Sequence, residues 1–258
     1  MKGAAGNAAI PLASVVALLV LWEVLVRGLA IPEYVLPAPS SIWRGTLAAG
    51  PSVLHQTAAT LVTILLGFGA SIAVSLPLAL LIASSRVVAT AIYPLLVLTQ
   101  SVPKVALAPI LLVALGAGEL PRVIVTFLVA FFPLVVSSVT GLLSTPPELL
   151  EMARACRASR WQELLRIRLP FAIPFVLAGM KVAIALCVVG AVVAEFVGAD
   201  SGLGYLIQTS MAFFKVPLAF GAMLILAALG IALFQLVEWF ERLAFPWADR
   251  DTQAGQNR

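Results

Sequence analysis

Four polar side chains stand inside stretches that are otherwise apolar: Gln100, Lys104, Lys181 and Glu195. An ionisable group in hydrocarbon costs at least about 2.5 to 3.5 kcal/mol on insertion scales, so each needs a partner or a task. Two lysines would attract an anion, or an electron-rich oxygen, on its way across a bilayer. The plainer readings are that Lys104 snorkels outward and that Lys181 snorkels inward or meets a carbonyl. Lys181 and Glu195 lie about 21 Å apart along a helix, too far to pair with each other, which leaves Glu195 to line a path, hold an outer turn or contact another span. No machinery for covalent chemistry accompanies them. The sequence has no G-x-x-x-x-G-K-[ST] phosphate loop and no nucleophile elbow. His55 is the single histidine, and Cys156 and Cys187 lie in different regions, so no metal-ligand cluster is read and each thiol is expected to be a small packing residue. The chain is not read as an enzyme.

The elements that must position these groups are membrane helices. Of the 258 residues 62% are hydrophobic and only 11% charged, against about 25% charged in a soluble domain. Several apolar runs reach the ~20 residues a bilayer core demands. The length suits one integral-membrane domain spanning 1–258, and no repeat or second domain is visible. Net charge is +4, and without aromatic and basic interleaving it signals topology rather than nucleic-acid binding.

Taken in order, the first span is expected over Pro11 to Val26. Trp22 and Glu23 interrupt that run before any small-residue cleavage site, which argues for a retained span. A Pro-rich segment from Ile31 to Gln56 carries Trp43 on a short interfacial helix. The second span covers Thr57 to Ala83, where Gly67, Gly69, Ala70, Ser71 and Ala73 favour close helix packing and Pro77 a kink. Val87 to Leu115 is longer than a straight crossing needs and is divided by Pro94, Pro103 and Pro109, so it is tilted or broken around Gln100 and Lys104. The fourth span follows from Pro121 to Leu143 and the fifth from Phe171 to Val197. A glycine-rich break then includes Gly202, Gly204 and Tyr205, Leu206 to Lys215 dips back, and Pro217 to Phe240 makes the sixth span before a polar tail from Glu241. The fold expected is all-α and integral to the membrane, with about six transmembrane helices.

One charged island interrupts this pattern, Thr145 to Pro170, with five arginines and three glutamates. It reads as two short helices. Thr145 and Glu148 would form a capping box on the first, with Pro146 at the first helical position, and Ser159 and Gln162 a second box on the next, which Pro170 ends. Leu149, Met152, Ala153 and Cys156 share one face. The arginines, with Lys2, Arg242, Arg250 and Arg258 near the termini, put this loop and both ends in the cytoplasm, since the outer connections offer only Arg44, Arg122 and Lys215.

Here the chain resembles a known family. Glu151-x-Ala153, with Ile167-x-Leu169-Pro170 at the matching distance, is similar to the EAA loop of the membrane subunits of bacterial ABC importers. Gln100 to Pro109, and Ala194-Glu-Phe followed by Ser201-Gly-Leu-Gly-Tyr205, extend the likeness to the branch handling nitrate, sulfonates, taurine, pyrimidine precursors and riboflavin. Two positions depart from the pattern: Met152 replaces an alanine, and Arg157 stands where a turn glycine is usual. The resemblance implies a homodimer in the bacterial inner membrane, two copies of a cytoplasmic ATPase that carries the ATP and magnesium, and an external substrate-binding protein. It implies that Leu150, Met152, Ala153 and Cys156 fill a groove on the ATPase while Glu151, Arg154 and Arg157 add charge and shape the turn. Gln100, Lys104, Lys181 and Glu195 would belong to the translocation path of a small polar or anionic organic solute, and Gly202, Gly204 and Tyr205 to an outer gate. An ATP-independent channel or secondary carrier is the alternative, though paired repeats with symmetrically broken helices are not evident.

Overall fold

A computed structural model describes residues 3–247; Lys2, Arg250 and Arg258, which entered the orientation argument, lie outside the described residues. The chain is helical and no strand occurs among the described residues. Helix α1 (Gly3–Gly28) is followed by the short α2 (Pro39–Ala48) and by α3 (Gly50–Ser84), which starts a full two turns before the expected span. The broken segment is α4 (Arg86–Thr99), a 3₁₀ turn (Lys104–Leu107) and α5 (Ala108–Leu115), bent by 75°. Of its prolines, Pro103 stands at the break, Pro94 is absorbed within α4 and Pro109 sits in the first turn of α5, where no N–H is needed. Helix α6 (Glu119–Leu143) leads into the charged island, made of α7 (Pro147–Ala155), α8 (Arg160–Glu163) and a π turn (Leu164–Arg168). Helices α9 (Leu169–Gly198), α10 (Leu203–Ala212) and α11 (Val216–Ala244) complete the chain.

Four helical runs are long and apolar enough to cross a bilayer, namely α3, α6, Arg160–Gly198 and α11, and the bent α4–α5 pair adds a fifth if it is one span. Half of the α6 span is buried in the protomer against 28% for α3 and for α11, so α6 is the central helix, with α3 and α9 along its sides. Lipid tails are as apolar as leucine, so backbone approach rather than hydrophobicity selects these contacts. Thr126 of α6 is approached closely from both sides: a Cβ on Gly67 of α3 would fall 2.7 Å from its Cβ, and one on Gly190 of α9 would fall 3.1 Å from its Cα. The small-residue stripe of α3 is Gly67, Ser71, Ser75 and Ala79, each four residues on and each buried, while Gly69 and Ala73 face outward. Ser71 and Ser75 donate across to the Phe127 and Phe131 carbonyls of α6, both at 3.2 Å.

The charged island departs from expectation at both ends. Pro146 is not helical (φ −54°, ψ 136°) because the proline after it excludes the α region, so α7 starts one residue late and no side chain caps it. Thr145 instead donates to the Leu142 carbonyl at 3.3 Å. The second capping box forms as read, with Ser159 and Gln162 bonding each other's backbone N–H groups at 3.3 and 2.8 Å. Pro170 does not end that helix. The widened π turn before it lets the run continue into α9 without a break, as an extra residue in the turn relieves the clash a proline makes with the carbonyl four back. Glu241, expected to open a polar tail, lies within α11.

Candidate functional site

The charged island is seated against one end of the spans, where α3 finishes and α9 begins. Leu164 is 3% exposed and packs in one cluster with Ile82 and Ala83 of α3, Ala89 of α4, Leu142 of α6 and Ala172 of α9. Arg168 holds the π turn by donating to Glu163 through Nε and Nη2 at 2.9 and 2.6 Å, and Arg154 lies 3.9 Å from the same carboxylate, so one glutamate ties α7 to the start of α9. A cleft of about 810 Å³, lined in part by Ser84, Leu150, Glu151, Arg154 and Arg160, opens beside the loop.

Of the residues expected to couple to an ATPase, Glu151, Met152, Arg154, Cys156 and Arg157 are exposed, Met152 by 57%. Leu150 is half-buried, and Ala153 is turned inward at 4%. An inward alanine supports the loop's own packing and offers no surface. The turn after α7 keeps its shape despite the missing glycine. Arg157 adopts φ +53° and the Ala158 N–H reaches back to the Ala153 carbonyl at 2.9 Å, the double turn with a left-handed residue that ends many helices. A side chain there costs on the order of 1 kcal/mol relative to glycine.

The polar residues of the spans do not converge on one point. Gln100 is exposed at the 75° bend. Lys104, half-buried at the start of the 3₁₀ turn, places Nζ 4.6 Å from the centre of the Phe132 ring of α6, which offers a cation its electron-rich face. Lys181 forms an ion pair with Glu241 of α11, whose side chain is 9% exposed. Sequence reasoning missed that partner because Glu241 had been assigned to the tail.

Glu195 has no exposed surface, and its carboxylate is committed. Thr60 of α3 donates to one oxygen at 2.8 Å and the Gly204 N–H to the other at 2.7 Å. Thr60 in turn accepts the Leu203 N–H at 2.7 Å, and Gln56 accepts that of Gly202 at 2.6 Å. Three backbone donors at the α10 N terminus, groups a helix cannot satisfy by itself, are thus met by α3 and α9. On the other side Arg122, 7% exposed, donates to the Ser201 carbonyl at 2.8 Å and to the Gly118 carbonyl at 3.0 Å. Gly202 and Gly204 are buried and Tyr205 is half-buried. Gly202 has φ +113°, and a Cβ on Gly204 would come within 2.9 Å of the Glu195 carboxylate. Both glycines are needed for this fit. A smaller version recurs at α2, where Glu23 of α1 accepts from the Ser40 N–H at 3.0 Å and its hydroxyl at 2.7 Å. Sequence spacing signalled neither Gln56 and Thr60 nor Arg122, apart from the one-turn separation of the first two. Among the described residues no group of three His, Cys, Asp or Glu side chains could hold a metal.

Comparison with known proteins gives this arrangement a context. Residues 75–248 match the family described as "Binding-protein-dependent transport system inner membrane component". The formylaminopyrimidine transport permease protein ThiX of Halalkalibacterium halodurans is 36% identical over 89% of this chain and 92% of its own length. The riboflavin transport system permease protein RibX of Chloroflexus aurantiacus is also 36% identical, over 89% of this chain and 87% of its own. Among solved structures, a chain of the MetNI methionine ABC transporter in an inward-facing conformation aligns with a TM-score of 0.55 at 18% identity, covering 74% of this chain and 98% of that one, a likeness of fold. With two thirds of its length matched, and relatives that span nearly all of it, the chain belongs to the inner-membrane permease family of binding-protein-dependent ABC importers.

Proposed function

We propose that two copies of this chain form the membrane path of an ATP-driven importer for a small polar or anionic organic solute, and that each copy takes its driving force from a separate cytoplasmic ATPase through α7. The path would have six crossings per protomer: α1, α3, the α4–α5 pair, α6, α9 and α11. Loop and termini would face the cytoplasm of a bacterial cell, and an external binding protein would deliver the solute. ATP and its magnesium are assigned to the ATPase, none to this chain.

The observation that carries this reading is the exposure of α7. Leu149 and Met152 stand out at 36% and 57%, next to Glu151 and Arg154, on a helix only two turns long. A short apolar and charged face held rigidly off the membrane is suited to a groove on another protein. The rest of the loop is suited to passing on a push, because Glu163 ties α7 to the start of α9 and the helical run continues unbroken to Gly198. At the bend, Gln100 and the half-buried Lys104 would face the solute; Lys181, already paired with Glu241, would take part only if that pair opened. Glu195, Gly202, Gly204 and Tyr205 would act by fixing the outer break. Both 36% relatives are named for compounds built on nitrogen heterocycles, which favours a solute of that kind.

Replacing Met152 with Glu tests the reading. Loss of the co-purifying ATPase, and of solute-stimulated hydrolysis, is expected. If both persist unchanged, α7 is not the docking element.

A further inference from the structure

Arg157 combines three properties that do not need to occur together. It sits at φ +53°, a left-handed position where glycine or asparagine is the least costly residue. It is exposed, and it makes no ion pair among the described residues, whereas Arg154 and Arg168 both lie by Glu163. It also ends a gradient of charge along the helix axis, with Glu148 and Glu151 toward the start of α7 and Arg154 and Arg157 at and just past its end, all exposed. The helix dipole accounts for that order of charge within the helix. It does not account for a bulky cation at a position whose backbone would relax without it, where the other two left-handed non-glycine residues among the described ones, Ala30 and Phe214, are uncharged.

Resting on the proposed function, we infer that Arg157 is a specificity contact: the ATPase groove that receives α7 is graded in charge, with acidic side chains where the end of α7 and Arg157 arrive, and basic or hydrogen-donating groups by Glu148 and Glu151. The gradient gives the short helix one favoured direction in the groove. It also discriminates against ATPases of other importers, whose grooves would set like charges face to face. The strain at Arg157 is retained because the guanidinium is needed outside the protomer.

The substitution that separates this from a local role is one that improves the turn. The ATPase subunit isolated with the wild-type chain from its own host is purified and titrated back onto detergent-solubilised wild type, Arg157→Gly, Arg157→Asn and Arg157→Lys. Glycine and asparagine should relax the turn and yet weaken binding by about tenfold, while lysine stays close to wild type; wild-type binding should weaken with added salt and the two neutral variants less so. Binding by Arg157→Gly or Arg157→Asn that equals or exceeds wild type overturns the inference while leaving α7 as the docking helix. A wild-type chain that neither co-purifies with nor binds a nucleotide-hydrolysing subunit removes the proposed function itself, and this inference with it.

Discussion

Thr60 of α3 and Glu195 of α9 meet with no exposed surface on either residue, and the hydroxyl that donates to the carboxylate also accepts the N–H of Leu203. One threonine therefore links two spans and the start of α10. The link closes a pair separated by 135 positions in sequence.

Removing the carboxylate should unlock the turn that leads into α10. Glu195→Ala leaves the Gly204 N–H and the Thr60 hydroxyl without acceptors in a dry site, at a cost of about 2 to 5 kcal/mol. Glu195→Gln is expected to cost less, about 1 to 2 kcal/mol, because its oxygen can still take the Gly204 N–H and its amide can donate to the spare lone pair of Thr60, so that only the Thr60 hydroxyl proton loses its acceptor. Thermal unfolding in detergent should rank the alanine variant well below the glutamine one. Equal losses would mean that the hydrogen bonds at Glu195 do not hold the turn.

Gly204 and Gly69 should respond in opposite directions to alanine. A methyl group on Gly204 meets the Cβ of Glu195 at 2.8 Å and the Val192 carbonyl oxygen at 2.9 Å, whereas one on Gly69 meets nothing within 4 Å. Gly204→Ala is expected to lose about 1 to 3 kcal/mol by overpacking. Gly69→Ala, mid-helix and exposed, is expected to be neutral or to gain up to about 1 kcal/mol. Melting temperatures of the two variants measured side by side decide the matter.

Lys181 and Glu241 should be coupled. Truncating either partner, as Lys181→Met or Glu241→Leu, strands a charge and is expected to cost about 3 to 5 kcal/mol, while the double variant costs much less than the sum. If the two single losses simply add, the ion pair contributes nothing. Uptake by the double variant then separates roles: normal transport at normal ATPase activity would exclude Lys181 from contact with the solute.

The starts of the two short helices in the charged island offer a sharper contrast. Ser159→Ala should speed hydrogen exchange of the Gln162 amide and cost about 1 kcal/mol, since the hydroxyl caps that N–H. Glu148→Ala should leave amide exchange at the start of α7 unchanged, because no side chain caps that helix. Faster exchange at α7 in the second variant would restore the box that sequence spacing suggested.

What the sequence disclosed, and what it withheld, divides by distance along the chain. Local features were legible: the Ser159 box, the break near Pro103, the apolar runs and the short helix that carries Trp43. Even the local reading failed where two prolines adjoin, since Pro147 shifts the start of α7 by dictating the backbone of Pro146. Pro170 misled for a related reason, because a helix can widen to accept a proline instead of ending. Pairings between distant residues left no trace in spacing. Glu195 and Lys181 stood out as charges in apolar runs, and the glycine-rich turn was among the contacts expected of Glu195, but nothing near them named Thr60 or Glu241 as their partners.

The unbroken run from Arg160 to Gly198 has a further consequence. Its 39 residues extend about 58 Å, nearly twice the thickness of a bilayer core. A rod of that length behaves as a lever pivoted where α6 grips it. A tilt of about 5° imposed at its Arg160 end would swing the other tip by about 2 to 3 Å, and that tip is where Glu195 holds the head of α10.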